Sequence, residues 1–150
     1  MGVSDIVSLG GQLQGPVYKT ITFTGAANLG AVGAVPLYTV TGEVLVAIMV
    51  PFCTVLLEEA APGSATLALG VTGDTDLFIA ATNAVNIDAN EFWVDATPDA
   101  NGIATPSALK DIAITDSIIM TVGTAAVNGG AIRVACYWMP LSTDANVVAA

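Results

Sequence analysis

The feature that most constrains this fold is the regular spacing of turn-forming residues between short β-branched segments. Gly, Pro, Asn and Asp interrupt runs rich in Val, Ile and Thr every eight to fifteen residues. This spacing is typical of all-β proteins, because β-branched side chains favour strands and the interrupting residues favour turns. Helical periodicity is nearly absent. We therefore predict an all-β protein, an antiparallel β-sandwich or jelly-roll-like single domain, with less than ~15% helix.

The strand pattern divides the chain into a domain with two terminal arms. The predicted strands are Val17–Thr24, Pro36–Val40, Glu43–Val50 continuing to Leu57, Ala65–Val71, Leu77–Ala80, Glu91–Val94, Asp111–Val122 and Ala131–Met139. Asn128-Gly129-Gly130 predicts a hairpin between the last two, since Asn and Gly accept positive φ angles. We predict a flexible N-terminal arm at residues 1–15, a β-sandwich domain at 16–140 and a C-terminal arm at 141–150.

Two predicted strands differ in how many of their faces are apolar. Val17–Thr24 alternates, with Ile21 and Phe23 on one face and Thr on the other, which predicts a half-buried strand. Val44–Val50 is apolar on both faces, so its second face requires a loop or another subunit as cover. The residues predicted to form a subunit interface are Val44, Val46, Ile48, Trp138, Val147 and Val148.

The charge of the chain disfavours nucleic acid as a partner. Thirteen acidic and three basic residues give a net charge of −10, and the basic residues form no cluster. Binding to phosphates depends on Lys and Arg. Charged residues make up 11% of the chain, against about 25% in an average domain. A surface this poor in charge is either covered with small polar residues or hidden in interfaces.

The apolar composition does not predict insertion into a membrane. Val44–Leu57, the longest apolar run, has 14 residues and contains Pro51, whereas a spanning helix needs about 20. The first six residues show neither a basic nor an apolar region of a signal peptide. Cys53 and Cys136 lie in apolar segments and are interpreted as buried free thiols, a disulfide between them being the alternative. We therefore expect the chain to be made in a cytoplasm.

The chemistry needed for catalysis is missing, so we expect no enzyme activity and no cofactor. Without histidine, the triads and most zinc sites that use it cannot form. The loop Gly25–Gly33 has the glycine spacing of a phosphate loop but lacks its lysine. Acidic stretches near Asp74 and between Asp88 and Asp99 are interpreted as turns, with structural Ca²⁺ as the alternative. No metal ligand is assigned.

Two aromatic pairs leave a sugar-binding alternative open. Phe92-Trp93 and Tyr137-Trp138 lie in predicted strands. Neighbours in a strand face opposite ways, so one residue of each pair is expected in the core and the other at the surface or in an interface. An exposed Trp would be a platform for a carbohydrate.

Several segments resemble a family of small β proteins encoded by tailed bacteriophages. The segments are Ile21–Gly30 running on to Thr41-Gly42-Glu43-Val44, Ile87–Trp93 with Asp95–Asp99, and Tyr137–Ser142. The resemblance covers about residues 20–150 and implies a structural part of the virion. It carries no site residues.

Together these observations predict a capsid decoration (cement) protein on the outer surface of a phage head. The expected partners are other copies of the chain, as a homotrimer, and the major capsid protein. A tail-tube, baseplate or fibre subunit and a carbohydrate-binding β-sandwich are the alternatives.

Overall fold

The computed structural model describes residues 13–150, which form ten β-strands and two short 3₁₀ turns. No α-helix occurs among these residues, and the predicted all-β class is confirmed. The 3₁₀ turns are Ala84–Asn86 and Ser107–Leu109. The strands are β1 (Gln14–Thr22), β2 (Gly33–Thr41), β3 (Val44–Glu59), β4 (Thr66–Val71), β5 (Asp74–Asn83), β6 (Glu91–Phe92), β7 (Lys110–Ile114), β8 (Ile118–Gly123), β9 (Val127–Pro140) and β10 (Asn146–Ala149).

The strands form two five-stranded antiparallel sheets. The first sheet has the order β1-β9-β3-β6, and β7 pairs with β3 as well. The second sheet has the order β10-β2-β8-β4-β5. Because β3 pairs with β9 along most of its length, β6 and β7 share its other edge. The chain therefore crosses repeatedly between the sheets.

The buried faces of both sheets share one hydrophobic core. Two aromatic side chains also bridge the sheets by hydrogen bonds. The Tyr38 hydroxyl of β2 lies 2.8 Å from the Val17 carbonyl oxygen and 2.9 Å from that of Val134, and both belong to the first sheet. Just after β6, the Trp93 indole N–H donates to Thr82 Oγ1 of β5 at 3.1 Å. Each bridge satisfies a polar group that burial would otherwise leave unpaired.

Strand β1 follows its sequence pattern. Ile21 and, just beyond the strand, Phe23 are buried, whereas Tyr18, Thr20 and Thr22 are exposed. The alternation of apolar and polar residues predicted a half-buried strand, and the structure confirms this prediction.

Strand β3 has two apolar faces, as predicted, but a β-bulge changes which residues share a face. Val46 lies opposite Trp138 and Ile48 opposite Tyr137, so two steps along β3 match one step along β9. A bulge of this kind shifts the side-chain alternation by one residue. Val46 and Met49 therefore point into the core, while Ile48 points away from it. Regular strand alternation predicts that Val46 and Ile48 share a face, and this prediction is wrong.

Pro51 lies inside β3 without removing a hydrogen bond to β9. Its carbonyl accepts from the Trp93 N–H at 3.1 Å, on the edge that faces β6. Since the N and O atoms of a strand residue point to the same side, the missing N–H also faces β6, which ends at Phe92.

The predicted hairpin at Asn128-Gly129-Gly130 is wrong. The predicted strand Asp111–Val122 is split into β7 and β8, and β8 belongs to the second sheet whereas β9 belongs to the first. The three residues lie inside β9. A Cβ atom on Gly130, whose φ is 93°, would lie 2.4 Å from the Leu56 carbonyl oxygen. Glycine is therefore required there by the close approach of β3 and not by a turn.

The two predicted arms have different outcomes. Residues 1–12 lie outside the described residues, and β1 begins at Gln14, inside the range predicted as an arm. At the other end, β10 pairs with β2, and Val147 lies opposite Val40. Lys19 Nζ donates to the Ala150 carbonyl oxygen, which links β1 to the end of this segment. Within one chain, residues 146–149 are thus part of the second sheet.

Candidate functional site

The residues predicted to form an interface occupy different environments. Val44 and Val46 are fully buried in the core, and Trp138 and Val147 are 7% and 3% exposed. These four side chains have almost no surface left to offer a neighbour. Ile48 is half-buried on the opposite face of the first sheet, and Val148 is exposed on β10.

The structure instead brings together an apolar outer face on the first sheet. Cross-strand pairing aligns Tyr18, Ala135 and Val50 in one row. Ile48 lies beside Tyr137 in another row. We call this surface the outer face, and its members are Tyr18, Thr20, Thr22, Leu45, Ile48, Val50, Phe52, Val55, Phe92, Ala131, Arg133, Ala135, Tyr137 and Met139.

Aromatic rings and one guanidinium group organise part of the outer face. The Phe52 and Phe92 rings pack edge to face, with centroids 4.9 Å apart and planes at 63°. The Arg133 Cζ atom lies 5.6 Å from the centroid of the Phe52 ring and 5.9 Å from that of the Tyr18 ring. Both distances lie within the range of a cation–π contact.

A groove borders the outer face where the chain leaves β6. It has a volume of about 380 Å³ and is lined by Val50, Phe92, Asn101, Gly102, Ile103 and Thr105. The segment around Ile103 thus covers one margin of β3, while Tyr18 and Val55 of the outer face are 57% and 55% exposed. A loop thus covers part of the second apolar face of β3, which the sequence predicted to need cover. The rest of that face can contact another subunit.

The sequence pointed to the strand but missed most of the outer-face residues. Phe52, Tyr137 and Met139 were not among the predicted interface residues. The sequence contained one signal for two of these residues. Tyr137 and Phe92 each adjoin a tryptophan, and strand alternation places them on the face of the sheet that the buried Trp does not occupy.

Both tryptophans lie in the core, which removes the proposed sugar platform. Trp93 is fully buried and Trp138 is 7% exposed. The expectation that one residue of each aromatic pair enters the core is confirmed. The buried residue is the Trp in both pairs, so neither indole ring can stack on a carbohydrate.

Two residues of the second acidic stretch make turns. Asp95 Oδ1 accepts from the Thr97 N–H at 2.7 Å, and Asp99 Oδ1 accepts from the Asn101 N–H at 3.1 Å. Within residues 13–150, no three His, Cys, Asp or Glu side chains are grouped closely enough to hold a metal ion. The Gly25–Gly33 loop closes on itself, since the Leu29 N–H donates to the Ala26 carbonyl at 2.9 Å.

The two thiols are buried and separate, as the sequence predicted. Cys53 and Cys136 are free cysteines on the core face of the first sheet. Burial is the main cause that raises the pKa of Cys53 to about 11 and that of Cys136 to about 12. A buried thiol with a raised pKa is a poor nucleophile at neutral pH.

These pKa values predict a loss of stability in alkali. An unfolded Cys titrates near pH 8.5 to 9, so above that pH the unfolded chain loses protons that the folded chain retains. The free energy of unfolding should then fall by up to about 1.4 kcal/mol per pH unit for each thiol, up to the folded pKa. Urea unfolding at a series of pH values measures this slope. The double variant Cys53→Ala/Cys136→Ala should have a shallower slope, and an unchanged slope would contradict the assignment.

Comparisons with known proteins leave the outer face as the main basis for a functional argument. No protein-family model, curated protein or solved structure matches the chain. None of the helical segments in residues 13–150 has the length and apolar character needed to cross a membrane.

Proposed function

We propose that this chain is a capsid decoration protein of a tailed bacteriophage, which stabilises the head by clamping neighbouring capsid subunits. The observation that carries the proposal is the outer face, an apolar sheet surface in a chain whose few charged residues are mostly acidic. Contiguous apolar surface of this kind marks a site of protein–protein contact. The resemblance to small phage β proteins implies that this contact is made within a virion, with a capsid subunit or with another copy of this chain.

The strand order supports a jelly-roll β-sandwich. The strands pair in a nested series: β4 with β5, β3 with β6 and β7, β2 with β8, and β1 with β9. A long antiparallel ribbon folded over on itself produces such a series, and this is the arrangement of a double Greek key. Jelly rolls are common in viral capsid proteins.

The net charge supports a position on the outer surface of the head. A chain with a net charge of −10 is repelled by packaged DNA, which carries one negative charge per phosphate. An outward position removes the chain from that field. The proposed partners are the major capsid protein and other copies of the chain, assembled as a homotrimer at threefold positions.

Labelling of intact virions tests this proposal. An antibody against the folded chain should decorate the heads of intact particles in electron micrographs, because a decoration protein is accessible from outside. Purified chain should also bind heads assembled without it. Labelling confined to tails or baseplates would assign the chain to another part of the virion, and absence from the particle would overturn the proposal.

A further inference from the structure

The outer face is large enough to form about half of a standard subunit interface. It spans the three strands β1, β9 and β3 at a spacing of about 4.8 Å, with Phe92 as its one member on the two-residue strand β6, and about eight residue steps of β9, between Ala131 and Met139, at about 3.4 Å each. The projected area is therefore roughly 400 Å². A standard interface buries about 800 Å² of accessible surface per partner, and a corrugated side-chain surface exceeds its flat projection.

The composition of the outer face is that of an interface core. Interfaces are enriched in Tyr, Phe, Met and Arg and depleted in Lys, Glu and Asp. The outer face has Tyr18, Phe52, Tyr137, Met139 and Arg133. Interfaces between identical subunits are the more apolar class, which fits a surface on which most other members are aliphatic.

Charge favours another copy of this chain as the occupant. Arg133 is the only charged residue among the members of the outer face, while the exposed Glu58 of β3 and Lys110 of β7 lie beside it, opposite Gly129 and Ile48. Among residues 13–150 the guanidinium lies against two aromatic rings, and a guanidinium carries several N–H donors that can bind an acceptor of a second copy. A second copy can approach this face without repulsion between acidic groups. Because it has thirteen acidic and three basic residues, it also offers carboxylates to Arg133.

We infer that the outer face of the first sheet packs against a second copy of this chain, with Arg133 donating to an acceptor of that copy. This inference names the partner that binds the outer face. Its expectation of a homo-oligomer rests on the proposed function. It also implies that the major capsid protein binds elsewhere on the chain.

Sedimentation of the full-length chain at micromolar concentration tests the inference with matched valine variants. Val55 lies on the outer face and is 55% exposed, whereas Val85 lies in a 3₁₀ turn away from it and is 57% exposed. Val55→Asp should weaken self-association at least about tenfold, because a carboxylate in an apolar interface is left unpaired. Val85→Asp should leave self-association unchanged.

A second pair keeps the test independent of folding defects. Tyr18→Asp changes a residue that is 57% exposed, and Val32→Asp changes one that is 59% exposed outside the outer face. Both should retain the wild-type β-sheet spectrum, and only Tyr18→Asp should dissociate. A monomeric wild-type chain, or equal dissociation by the face and control variants, would overturn the inference.

The failures of the two proposals are distinguishable. If the chain decorates heads but is monomeric in solution, and Tyr18→Asp abolishes binding to heads, the outer face contacts the capsid and this inference fails alone. If the chain forms an oligomer through the outer face but is absent from virions, the proposed function fails and the inference stands.

Discussion

Replacing Val46 by Asp is expected to unfold the chain, whereas the same replacement at Ile48 is expected to leave it folded. Val46 is fully buried on the core face of β3 and lies opposite Trp138. An unpaired carboxylate there costs several kcal/mol, a large part of the roughly 5–15 kcal/mol that stabilises a typical domain. Ile48 is half-buried on the outer face, where a carboxylate can reach solvent.

Circular dichroism with urea unfolding measures this difference, and sedimentation adds a second readout. Val46→Asp should lose the β-sheet spectrum without denaturant. Ile48→Asp should retain the spectrum and reduce self-association, because the new charge lies on the outer face. Val46→Ala and Ile48→Ala are the matched controls for lost apolar volume. If both Asp variants unfolded to the same extent, Ile48 would also lie in the core. This result would contradict its placement on the outer face by the bulge.

Replacing Trp93 by Ala is expected to be the most damaging truncation in the core. Trp93 is fully buried, its backbone N–H donates to the Pro51 carbonyl, and its indole N–H donates to Thr82. Trp93 thus links β3 of the first sheet, through its backbone, to β5 of the second, through its side chain. Truncation of a buried Trp costs about 3–5 kcal/mol through lost apolar contact and the remaining cavity.

The variants Trp93→Phe and Thr82→Val separate the two contributions. Trp93→Phe retains much of the volume and removes the hydrogen bond, so it should cost clearly less than Trp93→Ala in urea unfolding. Thr82→Val removes the acceptor and leaves the indole N–H unpaired, which costs about 1–3 kcal/mol. If Trp93→Ala lowered the free energy of unfolding by less than Thr82→Val, the side chain would not be the packing link between the sheets.

The Trp93 variants also bear on carbohydrate binding. Because the indole ring is enclosed by the core, any glycan-binding defect of Trp93→Ala would arise from destabilisation and not from a lost stacking platform. The exposed aromatic ring of the described residues is Tyr18, which is 57% exposed and lies against Arg133.

The sequence alone determined the fold class, most strand positions and the burial of the two cysteines. These follow from local rules: β-branched segments between turn residues predict strands, and the alternation in β1 predicts which of its residues are buried. The doubly apolar β3 also predicted that both of its faces need cover. Each of these inferences depends only on neighbours along the chain, so no knowledge of the partner strands was needed.

Only the tertiary structure decided which residues form the outer face. The bulge between Val46 and Ile48 depends on how β3 pairs with β9, and it reverses the faces of the residues that follow, up to the next irregularity between Cys53 and Val55. Gly130 is required by the approach of β3, although the sequence around it has the composition of a turn. Residues 146–149 become a strand because β2 offers them an edge. Strand register, the close approach of strands and edge pairing are set by residues distant in the chain. A local sequence pattern therefore does not predict them.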